Sequence, residues 1–294
     1  MKPPAFAYHA PRSLEAGLDL LADLGADAKV LAGGQSLVPM LNMRLVAPAA
    51  LVDIRHLDDL DRVEVADGVV RVGARVTLSR LERDDDVAAA LPLLREALRL
   101  VAHPVIRNRG TSVGSVVHAD PAAELPAVVA LLDATLELTS RAGVRTVGGA
   151  DVFAGPLECA LQPGELATAV SFPQLERGSG TAIEELARRH GDYALAGVAV
   201  RVDLDADRHV GGASAAFFGV GGMPHAIDLS GSMHGQPSDA LDLTDAVGAA
   251  RAALDPDDDI HATAGYRRHL AGVLLERALQ RAARQAVARQ EVLT

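Results

Sequence analysis

Apolar side chains recur along this chain at helical spacing first and at strand spacing later. Over residues 11–25, Leu14, Leu18 and Leu21 fall on one helical face, with Ser13 placed to cap the helix and Gly25 to end it. Lys29–Ala32 reads as a short buried strand that runs straight into Gly33-Gly34-Gln35-Ser36. Leu51–Ile54 reads as another strand, so the first unit is a small α/β one.

A second unit is expected from about residue 57. Its opening, VEVADGVVRVGARVT, sets β-branched residues around Asp67-Gly68, a dipeptide that tolerates the positive φ of a tight hairpin. Residues 91–102 predict a helix closed by Pro104. Residues 107–124 are rich in glycine and small polar residues and lead into the helical LPAVVALLDA. Two strands flank Ala142-Gly143, and a further strand ends at Pro173. The segment ERGSG, 176–180, has the composition of a linker.

Beyond it, residues 195–205 and 210–222 alternate as antiparallel strands do. Two helical runs follow, over 238–254 and 264–286. In the second, Leu270, Val273, Leu274 and Leu279 form a stripe that a sheet can cover. The expected division is 1–56, 57–176 and 177–294, without repeats or low-complexity tails.

With 49% apolar residues a sizeable core can be buried. The net charge of -11 argues against general nucleic-acid binding, because no basic field would attract phosphate. A single cysteine, Cys159, excludes a disulfide framework and an iron–sulfur cluster held within this chain. The opening residues lack the apolar core of a signal peptide, and no apolar run reaches membrane-spanning length. A cytoplasmic protein without an integral membrane segment is the expectation.

Two segments carry candidate chemistry. In Ala32-Gly33-Gly34-Gln35-Ser36-Leu37, adjacent glycines after a strand let the backbone approach a ligand, and successive N–H groups make an anion-binding concavity. Ser36 adds a hydroxyl, and a pyrophosphate would fit. The glycine pair alone also fits a plain tight turn. In Gly110-Thr111-Ser112-Val113-Gly114-Ser115, Thr111 and Ser115 can donate to phosphate oxygens, and Gly114 permits close approach. Downstream, Glu124 can accept hydrogen bonds from ribose or ribityl hydroxyls. An ordinary turn with Asp120 as a helix cap is the alternative.

Familiar nucleotide motifs are missing: no GxGxxG stands at Rossmann spacing and no GxxxxGKS is present. His103, His118 and His190 lack metal-ligand spacing, DPDDD at 255–259 lacks a calcium-loop pattern, and no serine has a GxSxG context. Cys159 has no activating base nearby in sequence and reads as a buried, inert thiol. No general acid, base or metal ligand is nominated.

Five segments in order resemble one family: LAGGQSLVPMLNMRL, RNRGTSVGSVVHADPAAELPA, GPLECALQPGEL, RRHGDYALAGVAV and YRRHLAGVLLERAL. The family comprises the FAD-binding, or medium, subunits of carbon monoxide dehydrogenase and related molybdenum hydroxylases, xanthine dehydrogenase included. The resemblance spans nearly the whole chain. It implies an α+β fold: two α/β FAD-binding subdomains of the vanillyl-alcohol-oxidase type, then a C-terminal domain with a three-stranded antiparallel sheet and helices. It implies that 32–36 and 111–115 hold the FAD pyrophosphate between them. Lys29, Leu31 and Leu37 would flank the first loop; Gly110, Ala123 and Glu124 would line the dinucleotide beside the second. Tyr193 matches the aromatic beside the isoalloxazine. Many members read Thr-Ile-Gly-Gly where this chain has Thr111-Ser112-Val113-Gly114. Val113 therefore requires either an ordinary backbone or a shifted loop, with Ser112 replacing a lost contact.

The same resemblance implies partners: a small subunit with 2Fe–2S clusters and a large subunit with the molybdenum cofactor, assembled as a dimer of heterotrimers. Electrons would pass from the clusters through FAD to an external acceptor. Two alternatives stand beside this: a stand-alone FAD-dependent oxidase of the same fold, and a non-catalytic assembly subunit whose nucleotide site is degenerate, a reading that Val113 keeps open.

Overall fold

The computed structural model describes residues 2–291. Strands β1 (Ala7–His9), β2 (Ala28–Leu31) and β3 (Ala50–Asp53) form a parallel sheet in the order β1-β3-β2. Helix α1 (Leu14–Leu24) is capped by Ser13, whose hydroxyl accepts from the Ala16 N–H, and stops at Gly25. Helix α2 (Leu37–Asn42) follows β2 after the glycine turn. The three-residue β1 is too short to show a period and is legible only once paired. Asp53, 1% exposed, ties it to β3 by accepting from the Tyr8 hydroxyl at 2.8 Å and from Arg55 Nε at 2.6 Å. Burial opposes ionisation of Asp53, but the Arg55 hydrogen bonds outweigh it and hold the carboxyl below its usual range.

The next sheet is antiparallel. Strands β4 (Val63–Ala66) and β5 (Val69–Gly73) make the hairpin predicted around Asp67-Gly68, both at positive φ. Strands β6 (Thr135–Ser140) and β7 (Gly143–Val147) make a second hairpin. After a small ribbon, β8 (Phe153–Gly155) with β9 (Glu158–Cys159), strand β10 (Leu166–Pro173) inserts between the hairpins. The order is β4-β5-β10-β6-β7.

Between β5 and β6 run α3 (Leu78–Arg83), α4 (Asp85–Ala90), α5 (Pro92–Leu100), α6 (Pro104–Arg107), α7 (Ser112–His118) and α8 (Glu124–Leu132). Pro104, expected to close a helix, also opens α6 at its first position, where the missing N–H costs nothing. One continuous apolar core joins this sheet, its helices and the first unit, running from Leu18 and Val52 through Leu94, Leu125 and Phe172.

A second core belongs to the last part of the chain. Strands β11 (Ser179–Ala187), β12 (Ala194–Leu204), β13 (Val210–Phe218) and β14 (His225–Asp228) form an antiparallel sheet in that order. It has four strands, not the three expected. Strand β14 is four residues long and largely exposed, so it shows no apolar alternation. Ser179 and Gly180, read as linker, are buried at the start of β11. Gly180 permits helix contact there: a β-carbon on it would stand 1.9 Å from the Ala282 carbonyl oxygen.

Helix α9 (Ser230–Met233) is short. Helix α10 (Thr244–Ala253) begins six residues later than the expected run, because the Gln236 side chain holds Asp242 in a loop through its N–H and carbonyl. Helix α11 (Ala264–Glu291) covers β11 and β12 with Leu270, Leu274 and Leu279, while Val273 is only partly buried.

Candidate cofactor site

Both small-residue segments leave strands or turns near the carboxyl edge of the parallel sheet, and they touch. A β-carbon placed on Gly33 would lie 2.1 Å from the Arg109 carbonyl oxygen and 2.7 Å from Gly110 Cα. Gly110 in turn comes within 3.7 Å of Gln35 Cγ, and Gly114 within 3.9 Å of Ala32 Cβ, on the same β-carbon construction. Segments some eighty residues apart in sequence thus share one van der Waals contact surface.

Each segment is held internally. Gly34 has φ +73°, and Gln35 Nε2 donates to the Gly33 carbonyl at 3.0 Å. Ser36 precedes α2 without capping it, which leaves its hydroxyl unused by the helix. The second segment is moored on residues 76–78: Leu78 N donates to Gly110 O at 2.9 Å and Ser112 N to Val76 O at 3.2 Å. Thr111 caps α7, its hydroxyl accepting from Gly114 N at 3.2 Å. Val113 is 3% exposed inside α7 with no positive φ, so the missing glycine leaves an ordinary helical backbone and the loop contact intact.

Ser112 is 1% exposed, and its hydroxyl has no hydrogen-bond partner. A buried orphan donor next to a glycine cradle fits a ligand that carries many acceptor oxygens. Of the flanking candidates, Leu31 lies against Gly34, Leu37 opens α2, Ala123 is the residue before α8 and Glu124 is its first residue. Ser115 stands half-buried in α7. Lys29 points out of β2 and is exposed; no contact places it in the loops, and its charge acts on Cys159 instead.

Glu124 is 8% exposed, and its carboxyl is pushed up to about 8 by burial first, then by Glu185 and Asp120. Glu185, on β11, is itself pushed up to about 7 by burial and has one oxygen without a partner. Nothing in the sequence singled out Glu185; reading 179–187 as an alternating strand would have turned it toward this side. Asp120 does not cap a helix. Its carboxylate accepts from Ala122 N in a turn before α8, and it faces the Tyr193 hydroxyl.

Tyr193 is exposed, at 65%. Burial, then the charge and hydrogen bond of Asp120, push that phenol up to about 12, so it stays a donor. The ring borders a cleft of about 630 Å³ lined also by Pro121, Leu195, Gly219 and Arg267. Among the described residues no group of His, Cys, Asp and Glu is arranged to hold a metal ion, and no helix is long and apolar enough to cross a membrane.

Comparison with known proteins agrees on both parts of the chain. Residues 4–175 match the family described as the FAD binding domain in molybdopterin dehydrogenase, and residues 181–282 the CO dehydrogenase flavoprotein C-terminal domain. The chain is 40% identical to the alpha subunit of a 6-hydroxypseudooxynicotine dehydrogenase complex from Paenarthrobacter nicotinovorans, covering 97% of each. It is 39% identical to the carbon monoxide dehydrogenase medium chain of Afipia carboxidovorans, covering 96% of this chain and 98% of that one. Among solved structures, a Cu,Mo-CO dehydrogenase superposes with a TM-score of 0.91 at 38% identity, over 97% of this chain and 100% of that one. Quinoline 2-oxidoreductase from Pseudomonas putida does so with 0.91 and 38%, over 97% and 99%. The chain belongs to the family of FAD-binding medium subunits of the molybdenum hydroxylases, oxidoreductase complexes of several subunits, and FAD is its cofactor.

Proposed function

We propose that this subunit receives electrons singly from 2Fe–2S clusters on a small partner subunit and delivers them in pairs to an external acceptor. The partner complex would hydroxylate its substrate on a molybdenum-bearing large subunit. The contact between residues 32–36 and 109–115 supports this reading, because it brings the glycine turn and the capped start of α7 close enough to act on one diphosphate. FAD, when bound, would supply the redox chemistry, since a flavin can accept electrons one at a time and release two together.

The chain's own residues bind and orient. Backbone N–H groups of Gly33, Gly34, Gln35 and Ser36, with the hydroxyls of Ser36, Thr111, Ser112 and Ser115, would hold the pyrophosphate. Leu31, Ala32 and Leu37 wall the first turn, Gly110 and Gly114 admit the dinucleotide beside the second, and Ala123 and Glu124 line its sugar. Lys29 would steer the anion from outside. Glu124, largely protonated near neutrality, can give a hydrogen bond as well as accept one from a sugar hydroxyl. Tyr193 would stand against the isoalloxazine, its phenol fixed toward Asp120.

Lone Cys159 supports work in a complex, since clusters cannot be held here. Exposed Leu157, Met223 and Ile260 offer apolar surface for the partners. Relatives of about 40% identity are named for carbon monoxide and for 6-hydroxypseudooxynicotine, so substrate choice belongs to the molybdenum subunit. The assembly would be a cytoplasmic dimer of heterotrimers. Within the chain, 1–56 and 57–176 would be the two flavin subdomains and 177–294 the third unit. Val113, the residue that argued for a degenerate site, does not obstruct the loop contact.

The test is co-expression with the neighbouring subunits. The purified complex is expected to be yellow, to release FAD on denaturation and to bleach when the molybdenum substrate is added. A colourless complex that retains both metal centres would overturn the reading.

A further inference from the structure

Strands β12 and β13 pair as far as Gly197 and Phe218. Leu195 and Gly219 lie just beyond that last pair. Arg267, in the first turn of α11, ties the two strand ends together: its Nη1 donates to Leu195 O at 2.6 Å and to Gly219 O at 2.8 Å. The residue is buried, at 8% exposure. Its Nη2 is held by Asp259 Oδ2 at 2.6 Å, and the other Asp259 oxygen accepts from His261 N and Ala262 N. Guanidinium geometry is fixed and planar, so an arginine gripped on three sides fixes the separation of what it grips.

What it grips leads to the cofactor site from both ends. Leu195 lies two residues from Tyr193. Gly219 donates its N–H to Pro121 O at 2.8 Å, and Pro121 follows Asp120. Gly219 sits at φ +70°, where a β-carbon would stand 2.8 Å from Ala194 O, so the two strand ends are already at closest approach. Arg267 also forms part of the wall of the cleft beside Tyr193.

The geometry assigns to Arg267 the part of a positioning residue: it sets the Tyr193 ring and the Asp120 carboxylate relative to each other, and through them the aromatic wall of the flavin site. This rests on the reading of Tyr193 as that wall. In this role Arg267 acts through Tyr193 and Asp120.

The test uses the co-expressed complex, stripped of FAD and reconstituted, with Arg267→Gln, Arg267→Lys, Asp259→Asn, Tyr193→Ala and the double variant Arg267→Gln/Tyr193→Ala. Arg267→Gln is expected to raise the FAD dissociation constant about tenfold, the size of one lost charged hydrogen bond. It should also shift the visible absorption of bound FAD, with Arg267→Lys recovering part of both. In the Tyr193→Ala background the same change should cost less than about twofold, because groups that act through one another do not add. Asp259→Asn leaves both carbonyl bonds and is expected to move FAD binding in the same direction by less, which serves if Arg267→Gln fails to fold. The inference is overturned if melting temperature falls while dissociation constant and spectrum stay put, or if the two substitutions multiply. A wild-type complex that takes up no FAD overturns the reading of the site instead.

Discussion

Gly33 and Arg109 are separated by 76 positions in sequence, yet a single methyl group on Gly33 would fall 2.1 Å from the Arg109 carbonyl oxygen. The neighbour is backbone and cannot swing aside. Gly33→Val is therefore expected to push the two turns apart, at a stability cost of about 1–3 kcal/mol. FAD content of the purified complex should fall at least tenfold, to order of magnitude, while iron and molybdenum content stay near wild type. Full FAD occupancy in that variant would remove the two-turn cradle from consideration.

Thr111 caps α7, and on the proposed reading its hydroxyl would also donate to the pyrophosphate. Thr111→Ala should cost about 1 kcal/mol of stability through the lost cap. Thr111→Ser keeps an oxygen in reach of Gly114 N and should restore most of it. Chemical denaturation of flavin-free protein measures the cap, and FAD titration measures the second use. If Thr111→Ala weakens only the fold and leaves FAD affinity unchanged, the hydroxyl is a cap and nothing more.

Glu124 and Glu185 give the flavin-free protein a predictable acid–base behaviour. Their folded values, about 8 and about 7, lie above the 4.5 of the free side chain, chiefly through burial. Below pH 4.5 folded and unfolded chains are protonated alike. As pH rises through the window to about 8, the folded chain keeps protons the unfolded chain has released, so stability falls. Glu124→Gln should flatten that fall, with a melting temperature roughly 5 °C or more above wild type at pH 8 and nearly equal near pH 4.5. A variant that melts below wild type at pH 8 would show that Glu124 is ionised and satisfied there.

Cys159 is half-buried, and its thiol is pushed up by burial, with a backbone N–H near Leu161 and the Lys29 charge only partly relieving this. Native protein should therefore react with a small alkylating reagent at least about tenfold more slowly than unfolded protein. Fast labelling, or loss of FAD on labelling, would contradict an inert structural role.

Sequence pattern resolved the parts whose signals are local. The Ser13 cap, the Asp67-Gly68 hairpin, the glycine turn after Leu31 and the long C-terminal helix are each decided within a few residues. What it missed depends on partners far away. Strand β1 exists because Tyr8 reaches Asp53, and β14 because Ser214 to Phe217 pair with an exposed tetrapeptide. The start of α10 was set by Gln236 reaching six residues onward. In the candidate site both turns were legible from glycine and hydroxyl content, but their contact was not. Glu185 and Arg267 carried no local mark: a glutamate in a strand and an arginine in a helix acquire meaning only from what packs against them.

Strand β10 lies between two hairpins that could each close as soon as they are made. During synthesis the β4–β5 and β6–β7 ribbons would wait with raw edges until residues 166–173 emerged to join them. The segment at 111–115 is strung between those ribbons, so its contact with the glycine turn at 33–34 would come late in the growth of the chain. A ribosome paused before residue 166 would carry both glycine turns already translated and still lack a frame to hold them together.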